Sequence, residues 1–234
     1  MTPRFRHACL AGCLLAVLAS AVQAQGPDLL SDRQPGPVVT GAPYAADSVL
    51  TVTLTSLGSP VEQRVVARVY RDSAGRVRRE QTVTGQERPA SSDPDLVVTI
   101  LDPVAGVLIT LNPASRTATR IPFGARRTAD AAAPPAVAPR AESLGTQFIE
   151  GIAVSGRRTV TALPPGRDGR AVEISDERWE SSDLQIPLIE RHRDSRSGVS
   201  EHRLTNIVRT EPAAQLFVIP SSYTIVDVTI PATR

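Results

Sequence analysis

The sequence predicts an all-β fold: an antiparallel meander of short strands forming a curved sheet or half-barrel. Three observations point there. Apolar and polar residues alternate at period two in segments such as Leu50-Thr51-Val52-Thr53-Leu54-Thr55, the signature of a half-buried strand. Turn residues recur between these segments at close, regular spacing. Beyond the N-terminal leader, no segment sustains the 3.6-residue period of an amphipathic helix.

The leader comes first. Arg4, Arg6 and His7 precede an apolar run over residues 8–22, and Val22-Gln23-Ala24 offers small residues to a signal peptidase. This predicts a signal peptide over residues 1–24, cleaved after Ala24, and a periplasmic or secreted product that does not span a membrane. Leu10-Ala11-Gly12-Cys13 also matches a lipobox, which would anchor the chain at Cys13. A cut there would leave an apolar region shorter than the roughly 7–15 residues such a leader uses, so cleavage at Ala24 is the reading adopted.

Residues 25–47 are polar and proline-rich and read as a disordered arm. Strands are expected over 50–55 and 61–70. Asp72-Ser73-Ala74-Gly75 forms a turn, and 76–83 completes a hairpin. Residues 85–93 read as a loop. Short strands follow at 96–101, stopped by Asp102-Pro103, then at 107–111, stopped by Asn112-Pro113, and at 116–121.

Residues 126–143 contain a low-complexity Ala/Pro run, read as a loop inside one β domain covering 48–231. Strand resumes at 148–154, with a turn expected at Gly156 and another strand at 158–163. A strand at 172–181 carries Trp179. A second hairpin joins 184–192 to 199–209 through Asp194-Ser195-Arg196-Ser197-Gly198, with a short helical turn near 213–217 and a last strand at 223–230.

Composition narrows the function. Both cysteines, Cys9 and Cys13, lie in the leader, so the chain cleaved at Ala24 has no disulfide, thiol nucleophile or cysteine metal site. Removing Arg4 and Arg6 balances the charge, and no global field draws the protein to nucleic acid. Every basic side chain is arginine, a bias best explained by genome composition. Aromatics make up 3% of residues, too few to supply stacking platforms for bases or sugars.

Several strings carry a resemblance. Val69-Tyr70-Arg71-Asp72-Ser73-Ala74-Gly75-Arg76-Val77-Arg78-Arg79-Glu80 resembles the opening hairpin of uncharacterised exported bacterial proteins abundant in Acidobacteria. Leu101-Asp102-Pro103-Val104-Ala105-Gly106-Val107, the string 144–151, Glu177-Arg178-Trp179-Glu180-Ser181-Ser182-Asp183-Leu184 and Arg203-Leu204-Thr205-Asn206-Ile207 fit the same family. In compartment, strand count and successive hairpins the chain also distantly resembles the LolA/LolB/RseB superfamily. That likeness implies a curved sheet around an apolar cavity and a lipid or lipoprotein ligand. The chain departs from it in lacking clear amphipathic helices and in its shortage of large apolar side chains.

Three constellations bear on function. Arg64, Arg68, Arg71, Arg76, Arg78 and Arg79 cluster around the first hairpin, a patch that could hold a phosphate-bearing partner such as a lipid head group; Arg68, Arg71, Arg76 and Arg78, with Trp179, form the candidate ligand-binding set. Glu62 and Glu80 among them favour cross-strand pairing instead, and Trp179 reads more readily as a core anchor. Glu190, His192 and Asp194 share a strand face, and some registers place His202 opposite His192, the set a zinc ion would need. A solvated, charged hairpin is the stronger reading. No Gly-x-Ser-x-Gly elbow accompanies the two histidines beyond the leader. The sequence therefore predicts a non-catalytic exported binding protein for an apolar or amphipathic envelope ligand such as a lipid or lipoprotein, without a cofactor. A protein–protein interaction module of the envelope is the alternative, with a metal-dependent enzyme a distant third.

Overall fold

A computed structural model describes residues 38–55, 59–83, 95–122, 139–165, 169 and 171–229. The leader with Ala24 and Cys13, most of the proposed arm, the 85–93 loop and most of the Ala/Pro run lie outside these residues. Period-two segments become twelve strands: β1 (Tyr44–Leu54), β2 (Val61–Arg71), β3 (Val77–Val83), β4 (Asp95–Asp102), β5 (Val107–Asn112), β6 (Thr117–Pro122), β7 (Arg140–Ile149), β8 (Ile152–Leu163), β9 (Val172–Ser181), β10 (Ile186–Asp194), β11 (Gly198–Val208) and β12 (Thr224–Asp227).

All twelve join one open, curved sheet in the order β12-β6-β5-β4-β3-β2-β1-β11-β10-β9-β8-β7. The segments on either side of the Ala/Pro run therefore share a sheet, joined where β1 pairs with β11. After β11 the chain returns as a strap, residues 209–223, toward the β6 edge. One 3-10 turn, Ala214–Phe217, lies in it.

Three expectations change. Gly156 is not a turn: β8 runs straight through it, and the hairpin turns instead at Glu150 and Gly151, both at positive φ. A Cβ on Gly156 would stand 2.6 Å from the Trp179 ring, so this glycine is needed for close packing. β1 begins at Tyr44 and β7 at Arg140, each inside a stretch that composition marked as loop or arm. The last strand breaks the antiparallel pattern, because the strap delivers β12 to β6 running in the same direction.

Two apolar clusters form. One joins Tyr44 and Ala46 of β1, Val69 of β2, Ile152 and Val154 of β8, Leu188 of β10 and Leu204 of β11 with Leu184 from the β9–β10 turn. In the other, Val98 and Ile100 of β4 face Leu111 and Ile109 of β5, with Ala118 of β6 beside Leu111. The strap closes this second cluster with Phe217, and Leu216, Ile219 and Tyr223 pack around it. Burying a phenylalanine contributes about 1.5–3 kcal/mol, so Phe217 is the strap's main apolar anchor.

The β2–β3 turn ties these parts together. Asp72, 2% exposed, accepts from the Arg76 backbone N–H at 2.8 Å and from Arg76 Nε at 2.6 Å. The Arg76 guanidinium lies 5.1 Å from the centre of the Phe217 ring. Ser73 donates from its N–H and its hydroxyl to the Glu211 carboxylate, and Gly41 donates to the Ser73 carbonyl. Residues preceding β1, the turn and the strap thus meet at one point.

Candidate functional site

The first-hairpin arginines are mostly committed inside the fold. Arg71 is 3% exposed. Its guanidinium donates to the Ala42 carbonyl at 2.9 and 2.7 Å and to the Leu184 carbonyl at 2.6 Å, over the Tyr44 ring. Burial lowers its pKa, with Tyr44 opposing, yet a guanidinium remains charged. This corrects the ligand-facing reading of Arg71: it is a clamp between three chain segments. Arg68 pairs with Asp47 at 2.8 Å, Arg76 with Asp72, and Arg78 with Glu80 at 2.7 Å and with the Leu216 carbonyl at 2.8 Å.

One sheet face carries a different arrangement, assembled by register alone. Directly paired residues run Glu142, Arg158, Glu177, Arg191 and Glu201 across β7 to β11. The charges alternate and every neighbouring pair bonds: 3.1, 2.8, 3.3 and 2.6 Å along the row. Arg203 adds a contact to Glu201 at 3.1 Å. Partial burial pushes the Glu177 carboxyl pKa up, but hydrogen bonds from Arg158 and Trp179 and the Arg191 charge outweigh it, leaving it below its ordinary value. Glu201 is lowered in the same way: burial opposes, and Arg191 and Arg203 prevail.

Beside this ionic row, two residues along each strand, lies an apolar strip. Trp179 pairs with Ile189, Ile189 with Arg203, Arg203 with Val49, and Val49 with Val66. Leu96 of β4 stands on the same face, opposite Thr82. Trp179 lies on Gly156, donates to Glu177 at 2.9 Å and packs against the first core cluster, as the core-anchor reading expected. Val66 is 42% and Leu96 41% exposed. Two residues beyond Leu96, on the same face, is Val98 of the strap-covered cluster. The covered apolar surface therefore continues along β4 to Leu96 and resumes, across the exposed Thr82 of β3, at Val66 and the half-buried Val49. A further pair of bonded charges, Asp47 with Arg68, borders the strip's other side.

The opposite face holds the histidines. The register pairs Glu190 with His202 and His192 with Ser200, so the histidines do not face each other. The Asp194–Gly198 pairing that closes the hairpin sets this register. His192 Nδ1 lies 2.7 Å from Asp176, while His202 Nδ1 stands 3.9 Å from Glu190. Among the described residues, no group of three or more His, Cys, Asp or Glu side chains is arranged to hold a metal ion. This corrects the zinc grouping of Glu190, His192 and His202. Ser48, which the sequence did not flag, is bonded to His202 Nε2 at 2.8 Å and accepts from Arg79 at 3.1 Å. The order serine, histidine, carboxylate is that of a hydrolase, but Ser48 is 1% exposed and closed to substrate. The ionic row was also missed, because the pairing of five strands is invisible until register is fixed.

No family model matches the chain, and no curated protein matches it. Solved structures do. A conserved protein from Thermus thermophilus shares 15% identity over 80% of this chain and 91% of its own, with a TM-score of 0.42. MucB shares 11% over 79% of this chain and 60% of its own, TM-score 0.39. A LolA superfamily protein from Nitrosomonas europaea shares 10% over 80% and 93%, TM-score 0.35. Among the described residues, no helix is long and apolar enough to cross a membrane.

Proposed function

We propose that this chain is an exported, non-catalytic binding protein of the cell envelope whose ligand is an apolar or amphipathic molecule of the lipid class. One observation carries the reading: the apolar surface under the strap runs on to Leu96 and, across Thr82, to Val66 and Val49, with Val66 and Leu96 open to solvent between bonded charges. A monomeric soluble chain gains nothing from an open apolar strip, whereas an acyl chain laid on it loses water from both surfaces. Arg68 and Arg78 stand on the strap side of the open strip, so the ligand meets these members of the sequence-derived set at its margin, while Trp179 lies beyond the buried Ile189 as a core anchor. Expression with the native leader, purification of the exported form and native mass spectrometry test the reading. A co-purifying lipid mass, or saturable binding of an uncharged acyl probe such as dodecyl maltoside below its micellar concentration, is expected. No bound mass and no probe binding would sink it.

A second reading has one observation of its own. Phe148, on edge strand β7, is 77% exposed, as an anchor for a protein partner would be. The β7 irregularity between Ser143 and Gly145 interrupts that edge, a device that discourages strand addition. Recovery of one stoichiometric envelope protein by the wild type, lost with Phe148→Ala, would favour this reading over the lipid one.

A further inference from the structure

The ionic row does not end at Glu201. Its register continues through Thr51 on β1 to Arg64 on β2. Arg64 is exposed and bonds to no described residue. Arg203 stands directly opposite Val49, its side chain 40% exposed, and shares the Glu201 carboxylate with Arg191. Glu177 and Glu201 each already hold two arginines. On the strip's other side, Asp47 is taken by Arg68 and Asn206, and Glu80 by Arg78. Among the described residues, Glu62 is the remaining carboxylate near Arg64. It pairs with Thr53, one step farther from the strip on the same face, and forms no ion pair with Arg64. The open end of the strip is therefore bordered by two guanidinium groups with unused donors, separated by the neutral Thr51.

We infer that this end of the strip receives the head of an anionic single-chain amphiphile. Its acyl tail lies along Val49, Val66 and Leu96, and its phosphate or carboxylate is held by Arg64 and Arg203. Arginine suits this role because its planar fork offers paired donors to either head group. The inference rests on the lipid-binding reading above and adds the charge of the ligand to it.

The test compares two probes of equal chain length on the exported protein, dodecyl phosphate and dodecyl maltoside, both below their micellar concentrations. Dodecyl phosphate is expected to bind about tenfold tighter, as charge-assisted bonds to a head group would give. Arg64→Ala removes no existing ion pair and should lose a large part of that preference. Arg64→Ala with Arg203→Ala should bring both probes to the same affinity, and Glu62→Gln, outside the strip, should tighten dodecyl phosphate while leaving dodecyl maltoside binding unchanged. Equal binding of the two probes by the wild type would overturn the inference and leave the lipid reading standing. So would a phosphate preference that survives the double substitution, or binding confined to phosphatidylglycerol vesicles. Binding of neither probe would remove both.

Discussion

Two turns of this chain share their chemistry and differ in almost everything else. Asp72-Ser73-Ala74-Gly75 closes β2 on β3, and Asp194-Ser195-Arg196-Ser197-Gly198 closes β10 on β11. In each, the aspartate takes a backbone N–H and a guanidinium from one nearby arginine: Arg76 in the first, Arg196 in the second. In each, the serine contacts a distant chain segment, Glu211 or Glu173. Yet the first turn is enclosed by residues preceding β1 and by the strap, with Arg71 beside it clamping the β9–β10 turn. Arg196 of the second turn lies in solvent. The local signal makes a turn, and what packs on that turn decides whether it also organises the fold.

The sharpest way to break this comparison is to remove the two aspartates in parallel. Asp72→Ala leaves the Arg76 guanidinium and a backbone N–H without their buried partner, a change that costs about 3–5 kcal/mol. Asp194→Ala loses a surface pair and should cost a small fraction of that. Urea midpoints of the two variants measure the difference. Similar midpoints would mean that the enclosure of the first turn contributes nothing. Phe217→Ala tests the strap side of the same junction. It deletes the ring under Arg76 and the plug of the β4–β6 cluster, with an expected loss of about 3–5 kcal/mol and increased binding of a hydrophobic dye. A stable variant with no added dye binding would mean that the strap is held by its polar contacts alone.

The same contrast explains what could be read from the sequence. Strand positions in β2, β3, β5 and β9 follow from alternation and turn residues, since both signals are local. The 3-10 turn before Pro220 was visible for the same reason. Gly156 misled because a glycine can mark a turn or make room for a ring, and only Trp179 on the neighbouring strand decides between them. The arginines at the first hairpin were visible as a cluster. Their partners Ala42, Leu184 and Leu216 are carbonyls distant in sequence, which no composition reveals. The row from Glu142 to Glu201 depends on four registers at once, and the strip beside it adds those of β1 with β11 and with β2. Gly198 shows how one register is pinned: a side chain there would collide with the Thr53 carbonyl, at a φ of 132° that favours glycine.

A smaller effect is expected where Trp179 meets Gly156. Gly156→Ala places a methyl group 2.6 Å from the ring unless the ring moves, an overpacking cost of about 1–3 kcal/mol. Trp179 is the chain's single tryptophan, so its fluorescence reports the displacement directly. A shifted emission with a lower urea midpoint is expected. An unchanged spectrum would mean that the ring does not rest on β8. The first turn should be indifferent to this change, and a urea transition that stays single would show that both regions unfold together.

The smallest effect lies in the ionic row, which is half-buried on the sheet surface. Glu177 and Glu201 have folded pKa values below those of an unfolded carboxylate, as does Asp194. Groups of this kind bind fewer protons when folded. Their stabilisation is therefore complete above the unfolded value of about 4 and disappears as pH falls through the lower folded value. The urea midpoint should be nearly flat between about pH 7 and 5 and decline below about pH 4. Arg191→Met removes the cation shared by Glu177 and Glu201 while keeping much of the side-chain volume. At neutral pH it should cost no more than about 1 kcal/mol, because solvent screens these pairs. That cost should shrink toward zero near pH 3, where the wild-type carboxylates are themselves taking up protons. A cost equal at pH 7 and pH 3 would mean that Arg191 acts through packing of its aliphatic stem and that charge in the row contributes little to stability.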